Sequence, residues 1–128
     1  MKVLETGTRT SRIIEFDRDF DVAMSFTFDG TMAEGLVEIP LQFTIKYYYD
    51  GLGGTGGGTL GSVTGNTQKL QFHYDDASPA GSETKLHVPA QTLAVGEYRL
   101  SAVVDFTASG ADQQMYAFTD GPVIEIVS

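Results

Sequence analysis

From Ile14 to Phe28 the chain alternates with a period of two. Even positions read Ile14, Phe16, Arg18, Phe20, Val22, Met24, Phe26, Phe28, and odd positions read Glu15, Asp17, Asp19, Asp21, Ala23, Ser25, Thr27. Successive side chains of a strand point to opposite faces, so this spacing predicts half-buried β-structure with one apolar and one acidic face. Arg18 interrupts the apolar series inside DRDFD and predicts a break between two strands. The alternation returns from Val37 to Tyr49, with Val37, Ile39, Leu41, Phe43, Ile45, Tyr47 and Tyr49 on one side. Pro40, on the other side, cannot donate a ladder hydrogen bond and predicts an edge or a bulge at the start of that strand. Shorter runs carry Leu70, Phe72 and Tyr74 inward, then Leu86 and Val88. Two long ones follow, with Tyr98, Leu100, Ala102, Val104 and Phe106 inward, then Tyr116, Phe118, Val123 or Ile124, and Ile126.

Turn signals separate these runs: Asp29-Gly30, Ser78-Pro79-Ala80-Gly81, Val95-Gly96, Ser109-Gly110 and Asp120-Gly121-Pro122. No window sustains a 3.6-residue apolar period. The pattern predicts an all-β, antiparallel sandwich or barrel. The 128 residues, 41% hydrophobic and 20% charged, match one globular domain over residues 1–128. A glycine-rich stretch, residues 51–65, reads as a flexible loop inserted within it.

That stretch contains GLGGTG, with Gly51, Gly53 and Gly56 in the G-x-G-x-x-G spacing of dinucleotide-binding turns. Such a turn holds pyrophosphate because it opens a helix, whose free N-terminal amides face the ligand. Here GGTLGSVTG follows. Each glycine costs about 1 kcal/mol in a helix relative to alanine, and no amphipathic stripe offsets it. A P-loop lysine is missing as well, the next lysine being Lys69. No nucleotide or other cofactor is expected. The segment is instead expected to be ordered by a protein partner or by self-association, with Tyr48, Asp50, Gly51, Leu52, Gly53, Gly54, Thr55, Gly56 and Leu60 as the contact residues. Secondary contacts are expected at the edge near Pro40 and at the loops 30–35 and 78–83.

LAVGEYRL, Leu93 to Leu100, resembles the tyrosine corner of immunoglobulin-like β-sandwiches, with Gly96 two residues before Tyr98. The resemblance implies that the Tyr98 hydroxyl bonds back to the chain just upstream. FTDGPVIEIV, Phe118 to Val127, is similar to the last strand of variable-type domains, and Gly121 would form its bulge. Met24 or Phe26 would stand where such domains keep the strand-B cysteine, Leu100 at the strand-F cysteine, and Phe43 near the tryptophan. The implied fold is an antiparallel immunoglobulin-like β-sandwich of roughly seven to nine strands. Lacking Cys and Trp, the chain is closer to the diverse bacterial-style modules than to antibody domains. Sugar-binding sandwiches of O-antigen transporter subunits share a similar L-x-x-G-x-Y-x-L pattern.

Net charge is −9, with eight Lys plus Arg scattered singly. Neutralising phosphates needs clustered positive charge, so neither nucleic acids nor anionic membranes are expected partners. With no cysteine, there is no disulfide framework and no thiolate metal site. The N-terminus shows no apolar signal segment, which gives a cytoplasmic expectation, although a trimmed secreted domain would read the same way. Asp17, Asp19 and Asp21 place hard oxygen ligands at alternate positions, as a calcium site could use. An EF-hand would need Gly and Glu where Val22 and Phe28 stand, so the alternative is a solvated acidic edge. His73, Asp75 and His87 could contribute to a zinc site or stand free on the surface. No serine-hydrolase signature is present, and Asp75 and Asp76 would point to opposite faces of a strand. Together these readings give a non-enzymatic protein interaction or assembly module, a subunit or accessory of a larger complex. Small-molecule ligands are not expected. The alternative is a carbohydrate- or calcium-binding lectin-like module, for which Tyr48 is the one aromatic on a polar strand face.

Overall fold

The computed structural model describes residues 1–5, 9–10, 12–28, 41–54, 56–68, 70–108 and 115–128. Among them are eleven strands: β1 (Lys2–Glu5), β2 (Arg9–Thr10), β3 (Ile13–Glu15), β4 (Phe20–Ala23), β5 (Phe26–Thr27), β6 (Leu41–Gly51), β7 (Gly57–Asn66), β8 (His73–Tyr74), β9 (Leu86–Val88), β10 (Gly96–Ala108) and β11 (Met115–Val127). A short 3₁₀ turn, Leu52–Gly54, is the only helical element among the described residues. The strand count exceeds the expectation because several early runs break into pieces of two to four residues.

The strands form a five-stranded sheet in the order β3-β11-β10-β6-β7 and a four-stranded sheet in the order β2-β1-β4-β9, with β5 and β8 pairing separately. All pairings are antiparallel except β3 with β11, which run parallel. The two sheets share one core in a sandwich-like arrangement. Val3, Phe20, Val22 and Val88 of the smaller sheet pack with Phe43, Ile45, Tyr47, Leu100, Ala102, Val104, Ile124 and Ile126 of the larger. Period-two burial along β6 and β10 is the alternation read from the sequence. Met24, Phe43 and Leu100, the positions matched to the missing Cys and Trp residues, are all in this core. Phe26 stacks on Tyr74 at 4.9 Å and meets Phe43 edge-on at 5.4 Å.

Arg18 marks the expected break: its amide bonds to the Glu15 carbonyl in a turn between β3 and β4. Several expectations need correction. Residues 51–65 are not a long loop, because Gly57–Asn66 is strand β7, paired with β6 from Gln42↔Asn66 to Asp50↔Gly57. The acidic run is not an edge either: β4 lies between β1 and β9, and Asp21 is only 7% exposed. Finally, Phe118 faces outward at 63% exposure. Opposite Leu100, β11 carries two residues, Gly121 and Pro122, because Arg99 pairs with Val123 and Ser101 with Asp120. One extra residue in a period-two strand flips every side chain beyond it to the other face. Leu70 and Phe72 are likewise exposed, since Leu70 adopts φ 64° and ends any extended run before Tyr74. Val37, Ile39, Pro40, the 30–35 loop and the side chain of Tyr116 lie outside the described residues.

Candidate interaction surface

The larger sheet turns its outer face to solvent, and β7 forms one of its edges. The β6–β7 hairpin is built on aromatic–glycine pairs. Phe43 sits opposite Gly65, Tyr47 opposite Gly61, and Tyr49 opposite Gly58. A Cβ at Gly65 would lie 2.4 Å from Phe43 Cζ, and one at Gly58 would lie 2.9 Å from the Tyr49 hydroxyl. The rings of β6 therefore lie over β7 where side chains would otherwise stand, the arrangement that rescues glycine in a strand. Leu86 reaches across from β9 to Gly61, within 3.1 Å of where a Cβ would stand. Leu60 and Val63 point inward and pack against the core. A register shift between Tyr47 and Tyr48 places a bulge near Leu60.

The hairpin closes through Leu52–Gly56. The Gly51 amide donates to the Gly56 carbonyl at 2.7 Å, and Gly53, Gly54 and Gly56 all have positive φ. Nothing lies within 4 Å of a Cβ built at those three positions, so the tip is open to solvent. Of the expected contact residues, Asp50, Leu52, Gly53, Gly54 and Gly56 are exposed around this tip. Tyr48 and Gly51 are half-buried, Leu60 is turned into the core, and Thr55 lies outside the described residues. Cross-strand rows then run along the outer face: Thr59, Tyr48, Ser101, Asp120 in one, and Ser62, Lys46, Val103, Phe118 in the next. Phe118 joins this face only through the bulge at Gly121-Pro122, which a single sequence does not reveal as a change of face. DGP was the available signal.

The expected acidic site resolves into an ion-pair cluster. His87 on β9 is the ladder partner of Asp21 on β4. Its Nδ1 lies 2.8 Å from Asp21 Oδ1 and its Nε2 3.1 Å from Asp19 Oδ2. Asp19 also accepts the Ala90 amide at 2.9 Å, while Asp17 is exposed in the preceding turn. The hydrogen bond to Asp21 is the main cause of a raised His87 pKa, supported by the charges of Asp21 and Asp19 and opposed by partial desolvation. His73 is similarly engaged, with Thr27 Oγ1 2.8 Å from Nδ1 and Asp75 Oδ2 3.2 Å from Nε2. Both histidines of the chain thus have both ring nitrogens hydrogen-bonded. Neither offers a lone pair to a metal without giving up a bond, and the described residues hold no group of three or more side chains placed as metal ligands. A half-open pocket of about 310 Å³ lies beside His73 and Asp75, walled by Lys2, Met24 and Ser25. Lys2 reaches Asp76 at 2.7 Å, which holds that carboxyl below its ordinary pKa.

Tyrosines pin the loops to the sheets. The Tyr98 hydroxyl donates to the Ala94 carbonyl at 2.7 Å, the upstream bond that the tyrosine-corner resemblance implies. The buried Tyr47 hydroxyl donates to the Thr84 carbonyl, and the Thr84 hydroxyl donates to the Met24 carbonyl, linking the two sheets. Burial raises the Tyr47 pKa well above that of a free phenol. Tyr74, whose burial also raises its pKa, accepts the Gln68 amide and donates toward the Gln68 and Gln71 carbonyls, so the 68–71 turn wraps its hydroxyl. No sequence signal marked Tyr47 or Tyr74 for these roles.

Comparison of the chain with protein-family models, with curated proteins and with solved structures finds no match. No helix among the described residues is long and apolar enough to cross a membrane.

Proposed function

We propose that this chain is an immunoglobulin-like, non-enzymatic module for protein interaction or assembly. Support for the immunoglobulin-like reading comes from the parallel β3–β11 pairing, the partition of β1-β4-β9 and β11-β10-β6-β7 into facing sheets, the Tyr98–Ala94 bond and the bulge at Gly121. The observation that carries the interaction reading is strand β7. Among the described residues the two larger sheets have four edges, of which β2, β3 and β9 are two or three residues long, whereas β7 runs for ten. Proteins blunt unused edges by keeping them short or charged. The short ones here carry or adjoin charge at Arg9, Arg12, Glu15, Lys85 and His87, while residues 51–68 contain none. A long edge without charge is suited to accept another strand.

The test is size-exclusion chromatography with light scattering, together with a pull-down from source lysate on the immobilised chain. Self-association or a stoichiometric retained protein is expected. A strictly monomeric chain that retains nothing would sink the reading.

A further inference from the structure

We infer that the β7 edge pairs with β7 of a second copy of this chain, forming a two-fold dimer with one sheet continuous across both molecules. This rests on the interaction-module reading and names its partner. Hydrogen-bond direction along β7 gives the first support. The Thr67 amide donates to the Leu41 carbonyl, toward β6, and the Asn66 amide donates to the Gly81 carbonyl, away from it. Antiparallel ladders alternate these directions residue by residue. The backbone groups of Ser62 and Thr64 therefore face outward, and among the described residues Asn66 alone has a backbone partner on that side. The bulge near Leu60 leaves Gly61 to Asn66 as the regular stretch.

Charge decides between a second copy and a foreign strand. Two molecules of net charge −9 repel wherever their charged surfaces meet. Residues 51–68 are the surface where that repulsion is smallest, because they hold no ionisable side chain. Recognition of a foreign peptide along a sheet edge draws specificity from side-chain pockets. Gly57, Gly58, Gly61 and Gly65 provide little relief of that kind, but they let another backbone approach closely. An isologous contact requires only that the strand match itself. An axis through Val63 sets Ser62 of one copy opposite Thr64 of the other, and each exchanges backbone bonds with its counterpart.

Sedimentation velocity across a concentration series tests this, with far-UV circular dichroism and a melting curve on every variant. Wild-type mass should rise from one chain toward two with concentration. Ser62→Lys with Thr64→Lys places like charges opposite each other and should weaken dimerisation at least tenfold without changing the melting midpoint of dilute protein. Ser62→Lys with Thr64→Glu places opposite charges in the same two pairs and should restore it. If the double-lysine chain fails to fold, Thr64→Pro, which removes an outward amide and the exposed Thr64 hydroxyl's long bond to Thr44, replaces it. A dimer indifferent to these changes, or a wild-type chain monomeric throughout, overturns the inference. A monomer that still retains a different protein on this hairpin overturns self-pairing alone and keeps the interaction reading. One that retains nothing ends both.

Discussion

Two hairpins of the same sheet are built by opposite means. In β10–β11 both strands supply core side chains, Tyr98, Leu100, Val104 and Phe106 from β10 and Ile124 and Ile126 from β11, and the sequence alternates accordingly. In β6–β7 all of the large rings come from β6, and β7 answers with glycine at Gly58, Gly61 and Gly65. Intrinsic propensity disfavours a strand with four glycines in ten residues, Gly57, Gly58, Gly61 and Gly65, and with Leu60 and Val63 as its only large apolar side chains.

 The strand forms because neighbours cover its bare positions, Phe43 over Gly65, Tyr49 over Gly58 and Leu86 over Gly61, so strand propensity here belongs to the surroundings and not to β7 alone.

Four measurements probe that contrast, in decreasing order of expected effect. Phe43→Ala removes the ring that covers Gly65 and opens the core beneath it. It should cost about 3–5 kcal/mol in urea unfolding, more than Val104→Ala on β10. Equal costs for the two would remove the special role of the ring. Gly65→Ala forces a methyl against Phe43 and the Gly81 carbonyl, for an expected loss of about 1–3 kcal/mol. Adding Phe43→Leu should recover part of that loss. Strict additivity in the double-mutant cycle would show that Phe43 is not the obstructing neighbour.

Tyr98→Phe tests the entry to the other hairpin. The Ala94 carbonyl loses its donor, and the thermal midpoint should fall by an amount equivalent to about 1 kcal/mol. No change would mean that water replaces the hydroxyl fully.

The smallest effect concerns His87. Its folded pKa is raised above the ordinary value of 6.5, first by the bond to Asp21. Its stabilisation is therefore fully present below about pH 6.5 and lost as pH rises through the raised folded value. Because the ring is largely exposed, salt should screen the effect. Melting curves between pH 5 and pH 8 should show a step that His87→Gln abolishes. An identical pH profile in the variant would rule the cluster out as a source of pH dependence.

Much of the architecture was legible because period-two patterning survives wherever a strand buries one face. β6, β10 and the break at Arg18 could be located from residue order, whereas the Tyr98 bond and the Gly121 bulge came from the resemblance of LAVGEYRL and FTDGPVIEIV to immunoglobulin-like strands. The candidate surface was only half legible. The tip residues were found, but β7 itself read as loop, since its packing partners lie on β6. Asp21 read as solvated because nothing near it in sequence announces His87, sixty-six positions away.

Residue order alone gives an all-β chain, the inward set of its two best strands and an acidic surface with one long uncharged segment, while the expected turn at Asp120-Gly121-Pro122 is a bulge inside β11. Those properties depend on near neighbours and on composition. Only the tertiary structure decided that the glycine segment is an edge strand, that β4 is interior with Asp21 paired to His87, and that Phe118 looks outward. Each of these depends on which strand lies alongside, or on a one-residue bulge that reverses a face. A chain's local alternation specifies two faces for a strand, and its neighbours decide which face is buried and whether its edge stays open.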